Sequence, residues 1–210
     1  MKTALVVATA LALAGCRVQD PPPITERWAD TFERDDPGPN YYQTGSGYAV
    51  VHGALSAHGA HNKPLWLRKK LPRDVQIDVT VWSATAEGDM KVEVFGDGKS
   101  FDPDQGDYTS TGYVLVQGGW HNTESKMARG YEHGTDNFKE RRGPRVVPGQ
   151  KYHWRIIRKG KVLTWYVDDM EVPYLTWDDP QALSGPGHEY FAISNWESDS
   201  WFDDLTITPL

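Results

Sequence analysis

From residue 75 to residue 82 the chain reads Val-Gln-Ile-Asp-Val-Thr-Val-Trp. Val75, Ile77, Val79 and Val81 alternate with Gln76, Asp78, Thr80 and Trp82, and a period of two places the four apolar side chains on one face of an extended strand. Such a strand needs hydrogen-bonded neighbours on either side and a second layer over its apolar face. Other short strands are predicted at Met90 to Phe95, Gly112 to Gln117, Ser125 to Tyr131, Tyr152 to Arg158, Val162 to Val167, Tyr190 to Ser194 and Phe202 to Thr208. Trp28 to Glu33, Tyr48 to His52, Ala54 to Ala57 and Leu65 to Lys70 are earlier ones. Helical periodicity is nearly absent, and 20 Gly, 14 Pro and 12% aromatic residues fit strands and turns rather than helices. Lys159-Gly160 and His52-Gly53 read as hairpin turns, where tight geometry needs positive φ. The expectation is an all-β chain folded as a two-sheet antiparallel β-sandwich.

The N-terminus has a different character. Lys2 precedes a stretch from Ala4 to Ala14 that is apolar apart from Thr9. It is too short for a bilayer-spanning helix, which needs about 20 apolar residues, and reads as a signal peptide. It ends in Leu13-Ala14-Gly15-Cys16, which resembles the lipobox of bacterial lipoproteins. The resemblance implies cleavage before Cys16 and a diacylglycerol thioether on its sulfur. Residues 1–15 would then be a signal, 16–23 the lipidated cysteine and a Pro-rich tether, and 24–210 one domain. Multiple acyl chains give stable membrane attachment. Arg17 stands where inner-membrane lipoproteins typically carry Asp, so the expected location is the bacterial cell envelope, at the outer membrane in a Gram-negative host. Cys16 is the chain's single cysteine, so no intramolecular disulfide can form. Formal net charge is −7, and removing Lys2 with the signal makes the remainder more negative, which argues against a nucleic-acid partner.

A family resemblance runs through the C-terminal half. The segment from Pro148 to Asp168 contains Gly149, Ile156, Gly160, Leu163, Val167 and Asp168 in a hairpin spacing, and Trp201-Phe-Asp-Asp-Leu-Thr-Ile207 closes the chain. Both resemble the concanavalin A-like lectin/glucanase superfamily, in particular its laminin-G-like and 3-keto-disaccharide hydrolase-like bacterial members. Asp30-Thr-Phe-Glu-Arg34 and His52-Gly-Ala-Leu55 resemble its opening strands. The resemblance implies a jelly roll. It does not carry the glucanase chemistry, because the strand pattern Glu-x-Asp-x-x-Glu is absent and Met90 to Phe95 offers Glu93, read here as a solvated strand residue.

Candidate site residues cluster in loops. Residues 118–134 concentrate Trp120, His121, Asn122, Arg129, Glu132 and His133. Sugar recognition needs an aromatic plane against the ring's C–H face and amide, guanidinium or carboxylate groups for the hydroxyls; Trp120, Asn122, Arg129 and Glu132 supply these. The competing reading is a solvated hairpin loop. Glu132 with His133 or His121 would form an acid/base pair near neutral pH, although adjacent residues on a regular strand face opposite ways. Trp196 and Glu197 either complete such a site or cover a sheet edge. Asp102, Asp104 and Asp107 are metal candidates, with calcium the ion they would take; the run lacks the EF-hand register and its terminal glutamate, and the competing reading is a polar surface loop. Lys139 to Arg145 reads as a solvated basic loop. Phosphate-loop, Gly-x-Ser-x-Gly and His-Glu-x-x-His motifs are absent.

Three functional readings follow: a membrane-anchored lectin-like domain that binds carbohydrate, a glycoside hydrolase or other polysaccharide-modifying enzyme using Glu132, His133 or Glu197, and a structural envelope lipoprotein without a small ligand. The fate of the nine tryptophans separates them: exposed on one face for the first, buried for the third.

Overall fold

A computed structural model describes residues 20–99 and 110–210. The expected signal segment, Cys16 and the metal candidates Asp102, Asp104 and Asp107 lie outside the described residues. The strands are β1 (Trp28–Asp30), β2 (Tyr41–Gln43), β3 (Tyr48–Val51), β4 (Ala54–His58), β5 (Leu65–Leu67), β6 (Val75–Ser83), β7 (Met90–Gly96) and β8 (Tyr113–Gly118). A single turn, α1 (Gly119–Asn122), precedes β9 (Glu124–Arg129), β10 (Phe138–Arg142), β11 (Tyr152–Lys159), β12 (Val162–Val167), β13 (Leu175–Asp178), β14 (Tyr190–Ser194) and β15 (Asp199–Pro209).

They form two antiparallel sheets, a jelly-roll sandwich. One runs β13-β12-β11-β6-β15-β4-β3, with β1 also paired to β15; the other runs β10-β9-β8-β7-β14-β5-β2. β6 sits centrally between β11 and β15, as its alternation requires, and Val75, Ile77, Val79 and Val81 are fully buried. The other sheet contributes Met90, Val92, Val94, Leu115, Met127, Phe191 and Ile193 to the same core. Each such side chain contributes roughly 1.5–3 kcal/mol by burial. The Trp154 ring packs edge-on against Trp165 at 4.7 Å, and its indole N–H donates to Gln117 Oε1 at 2.7 Å.

The hairpins show why their turn residues are there. Val51 pairs with Ala54, leaving His52 and Gly53 at φ 51° and 75° as the two-residue loop. Lys159 pairs with Val162, so the second turn is Gly160-Lys161, one residue later than the sequence reading, with Gly160 at φ 59°.

Three strands were not expected from sequence: β2, β10 and β13. All are sheet edges. β2 and β13 are three and four residues long, too short to display a period although Tyr41 and Trp177 reach the core, and β10 is polar along nearly all its length, where charge discourages edge-to-edge association. This corrects the reading of Lys139 to Arg145 as a loop: Phe138–Arg142 pairs with β9, and Lys139, Glu140, Arg141 and Arg142 are exposed. β9 itself stops at Arg129, two residues short of the expected end.

The opening motif acts as an anchor. Asp30 accepts both Arg34 guanidinium nitrogens at 2.6 and 2.8 Å, the Phe32 N–H at 2.9 Å and the Tyr41 hydroxyl at 2.9 Å. These bonds hold Phe32, at φ 51°, fully buried in the core. Burial pushes the Asp30 carboxyl up, but those donors outweigh it and hold the group below the usual carboxylate range.

Candidate functional site

β7 lies in the middle of the seven-stranded sheet. Met90, Val92 and Val94 enter the core, which turns Lys91 and Glu93 to the opposite face. That face is covered, since Lys91 and Glu93 are buried too. This corrects the reading of Glu93 as solvated: its Oε1 accepts the N–H groups of Thr111 at 2.9 Å and Gly112 at 2.7 Å. Lys91 donates to Glu132 Oε1 at 2.9 Å and Asn62 Oδ1 at 2.8 Å, with Asp89 Oδ1 at 3.7 Å. Burial opposes the Lys91 charge, but Asp89 and Glu132 more than offset it and raise its pKa. Asp89 is also raised, chiefly by burial and further by the Glu132 charge, against the opposing pull of Lys91. Glu132 Oε2 is buried and has no hydrogen-bond partner among the described residues.

Loops build walls over this polar floor. Two glycines let the first pair of loops meet: a Cβ on Gly88 would lie 2.4 Å from the Gly118 carbonyl oxygen, which accepts the Asp89 N–H at 2.9 Å. After Gly118 the chain makes a left-handed turn, with Trp120, His121 and Asn122 at φ 51°, 57° and 60°. Each such residue costs roughly 1–2 kcal/mol in that conformation, so the turn must be held from outside. Asn122 holds it. Its Oδ1 accepts the Val146 N–H at 2.7 Å, and its Nδ2 donates to the Ala86 and Val146 carbonyls at 2.9 and 2.8 Å. The strained turn thereby presents Trp120 and His121 beside Asp89. Behind Trp120, the Lys126 ammonium lies 4.0 Å from its ring centroid and 4.5 Å from that of Phe138.

The loop after β9 brings Glu132 and His133, with the His133 ring 5.6 Å from Trp120 edge-on. Because β9 ends at Arg129, these two neighbours sit in a turn, and both line the same cleft rather than facing opposite ways. The opposite wall is the β14–β15 loop. Trp196 donates its backbone N–H to Asp89 Oδ2 at 2.7 Å and packs edge-on with His61 at 4.9 Å. Asn195 secures this loop, accepting the Ala60 N–H at 3.0 Å and donating to the Ala57 carbonyl at 2.6 Å. The enclosed cleft, about 360 Å³, is lined by Asn62, Glu87, Asp89, Lys91, Trp120, His121, Glu132, His133, Trp196, Glu197 and Ser198.

Six of the sequence candidates thus meet: Trp120, His121, Glu132, His133, Trp196 and Glu197. Two do not line the cleft. Asn122 is the strut beneath it, and Arg129 binds Asp179 Oδ1 at 2.5 Å and Gln181 Oε1 at 2.9 Å. Asn62, Glu87, Asp89, Lys91 and Ser198 were not anticipated; the legible signal was Asp89, Lys91 and Glu93 spaced by two through an apolar strand. Among the described residues no group of three or more His, Cys, Asp or Glu is arranged to hold a metal ion. Trp66, Trp154, Trp165 and Trp177 are buried, whereas Trp196 is 40% exposed and Trp120 half-buried. No helix among the described residues is long and apolar enough to cross a membrane.

No protein-family model matches the chain, and no curated protein matches it by sequence. Solved structures do resemble it in fold. Carbohydrate-binding module CBM66 from Bacillus subtilis superposes with a TM-score of 0.63 at 13% identity, covering 80% of this chain and 95% of its own. The calcium-bound exoplasmic/lumenal domain of VIP36 gives 0.65 at 10% identity, covering 88% and 90%. Laminarinase from Flavobacterium sp. UMI-01 gives 0.58 at 12% identity, covering 86% and 98%. The chain has the fold that these proteins share.

Proposed function

We propose that this chain is a lectin-like domain that binds carbohydrate in the cleft between Trp120 and Trp196. One observation carries the reading: two partly exposed indoles stand over a floor of Asn62, Asp89, Lys91 and Glu132. Aromatic planes take the C–H faces of sugar rings, and charged and amide groups take the hydroxyls, giving charge-assisted hydrogen bonds. A volume of about 360 Å³ falls within the roughly 300–1,000 Å³ typical of small-ligand sites. The fold is compatible with this, being that of a carbohydrate-binding module and of a domain solved with mannose-containing glycans. The reading includes a lipid anchor at Cys16 that would hold the domain at the bacterial cell envelope, at the outer membrane in a Gram-negative host, and calcium bound through Asp102, Asp104 and Asp107.

The test is a glycan array probed with the purified protein, with and without calcium. Saturable binding that falls at least tenfold in Trp120→Ala and Trp196→Ala is expected; no binding across a broad panel would refute the reading and favour a structural role. A second reading, glycoside hydrolysis in the same cleft, is favoured by the convergence of Asp89 and Glu132 on one ammonium, since paired carboxylates are what such hydrolysis needs. Cleavage of a bound glycan, lost in Asp89→Asn, would establish it. Release of the protein from membranes by Cys16→Ser tests the anchor.

A further inference from the structure

Resting on the cleft as a glycan site, we infer that it selects sugars carrying a free amino group over neutral or acidic ones. Among the described residues four carboxylates line it, Glu87, Asp89, Glu132 and Glu197, against the single ammonium of Lys91. The histidines His121 and His133 complete the titratable lining among the described residues. Lys126 does not redress the balance inside, because its ammonium sits behind Trp120 on two aromatic rings and the Glu132 carbonyl.

The charge excess coincides with an unmet acceptor. Lys91 occupies Glu132 Oε1, whereas Glu132 Oε2, on a side chain 3% exposed, has no donor among the described residues. A buried carboxylate oxygen without a partner is costly, and a ligand group that donates to it recovers that cost. A protonated amine brings three donors and a positive charge, with no acceptor to clash with the carboxylates. An N-acetyl group brings one donor, no charge and an added carbonyl. A uronate brings like charge, which a low-dielectric cleft penalises. The Trp120 and Trp196 rings add to the preference, since indole faces attract cations as well as C–H groups.

The experiment compares binding of glucosamine oligomers, their fully N-acetylated counterparts of equal length and uronate oligomers to the full-length protein purified in detergent, by titration calorimetry at mildly acidic pH. The free-amine oligomer is expected to bind about tenfold or more tightly than the acetylated one, with the ratio shrinking as salt rises. Glu132→Gln should narrow the ratio. Because a buried substitution can disturb folding, the double variant Glu87→Gln/Glu197→Gln, on the exposed rim, should narrow it independently. Equal or tighter binding of the acetylated or uronate oligomer overturns the inference and leaves the glycan reading standing. Failure of every saccharide on a broad panel removes both.

Discussion

Replacing Lys91 with Met tests the polar floor on which the site rests. The side chain is 2% exposed, and Met fills much of the same space without the ammonium. What remains is Glu132, 3% exposed, and Asp89, 17% exposed, with no cation between them, and Asn62 Oδ1 without its donor. Removing one partner of a buried ion pair costs about 3–5 kcal/mol, and the orphaned amide oxygen adds to it. Asp89 relieves part of this by taking up a proton, which makes the loss pH-dependent. Asp89 is already raised by burial, and losing Lys91 raises it further. A group whose folded pKa lies above its unfolded value contributes stability that is complete below the unfolded value and is lost as pH rises through the folded one. The penalty should therefore be small near about pH 4 and grow to about 3–5 kcal/mol by about pH 7.5. Urea unfolding followed by tryptophan fluorescence at both pH values measures it; with a slope of about 2 kcal/mol/M, the midpoint should fall by about 1.5–2.5 M at the higher pH. Adding Glu132→Gln to the variant should recover part of the loss, with a coupling above about 1 kcal/mol. A pH-independent loss below about 1 kcal/mol, or additivity of the two substitutions, would refute the ion-paired floor.

Asn122→Ala orphans the Val146 N–H and C=O and the Ala86 C=O and removes the residue best suited to φ 60°. It should cost about 2–3 kcal/mol and weaken glycan binding through the Trp120 turn, while far-ultraviolet circular dichroism keeps its β character. Asp30→Asn should cost about 1–2 kcal/mol, discounted because the Arg34 side chain is 32% exposed. The native Asp30 carboxyl is held below its usual range, so its contribution is present above the ordinary Asp value and disappears as pH falls through the folded value. Acid titration of stability should accordingly be shallower in the variant. Burial, and then its bond to Asp179 at 2.7 Å, push the Tyr113 hydroxyl up to about 12. Its stabilisation is complete below the ordinary tyrosine value and lost as pH rises through about 12, so Tyr113→Phe should remove a tyrosinate absorbance step near that pH.

The fold was legible where physics writes a period into the chain. β6 alternates because it is central in its sheet with one face in the core, and the His52-Gly53 turn is marked because both residues must take positive φ. The edges were less legible: β2 and β13 are too short to show a period although Tyr41 and Trp177 are buried, and β10, bonded on one side and polar on nearly every residue of Phe-Lys-Glu-Arg-Arg over 138–142, looks like a loop. The position of the second hairpin turn was missed by one residue, since Lys159 and Lys161 flank Gly160 symmetrically in chemistry and only the Lys159–Val162 pairing distinguishes them.

The site divides along the same physical line. Trp120, His121, Glu132, His133, Trp196 and Glu197 stood out because aromatic and ionisable residues crowd into loops, where no core pattern demands them. Asn122 and Arg129 stood out for the same reason, yet one holds a strained turn and the other binds Asp179. Chemical type cannot separate a side chain that meets a ligand from one that holds the loop in place. The floor was hidden by the opposite effect. On a strand whose alternate residues are Met90, Val92 and Val94, an intervening Lys91 and Glu93 look like a wetted outer face. They become buried because loops close over that face: Asn62, Asp89 and Glu132 meet Lys91, and Thr111 and Gly112 meet Glu93. A lysine buried beside two carboxylates adds little to stability compared with an apolar core, and the Trp120 turn is strained as well. Both costs fall on residues around one cleft, although positive φ is not confined to it, since Phe32, His52 and Phe95 take it elsewhere in the sandwich.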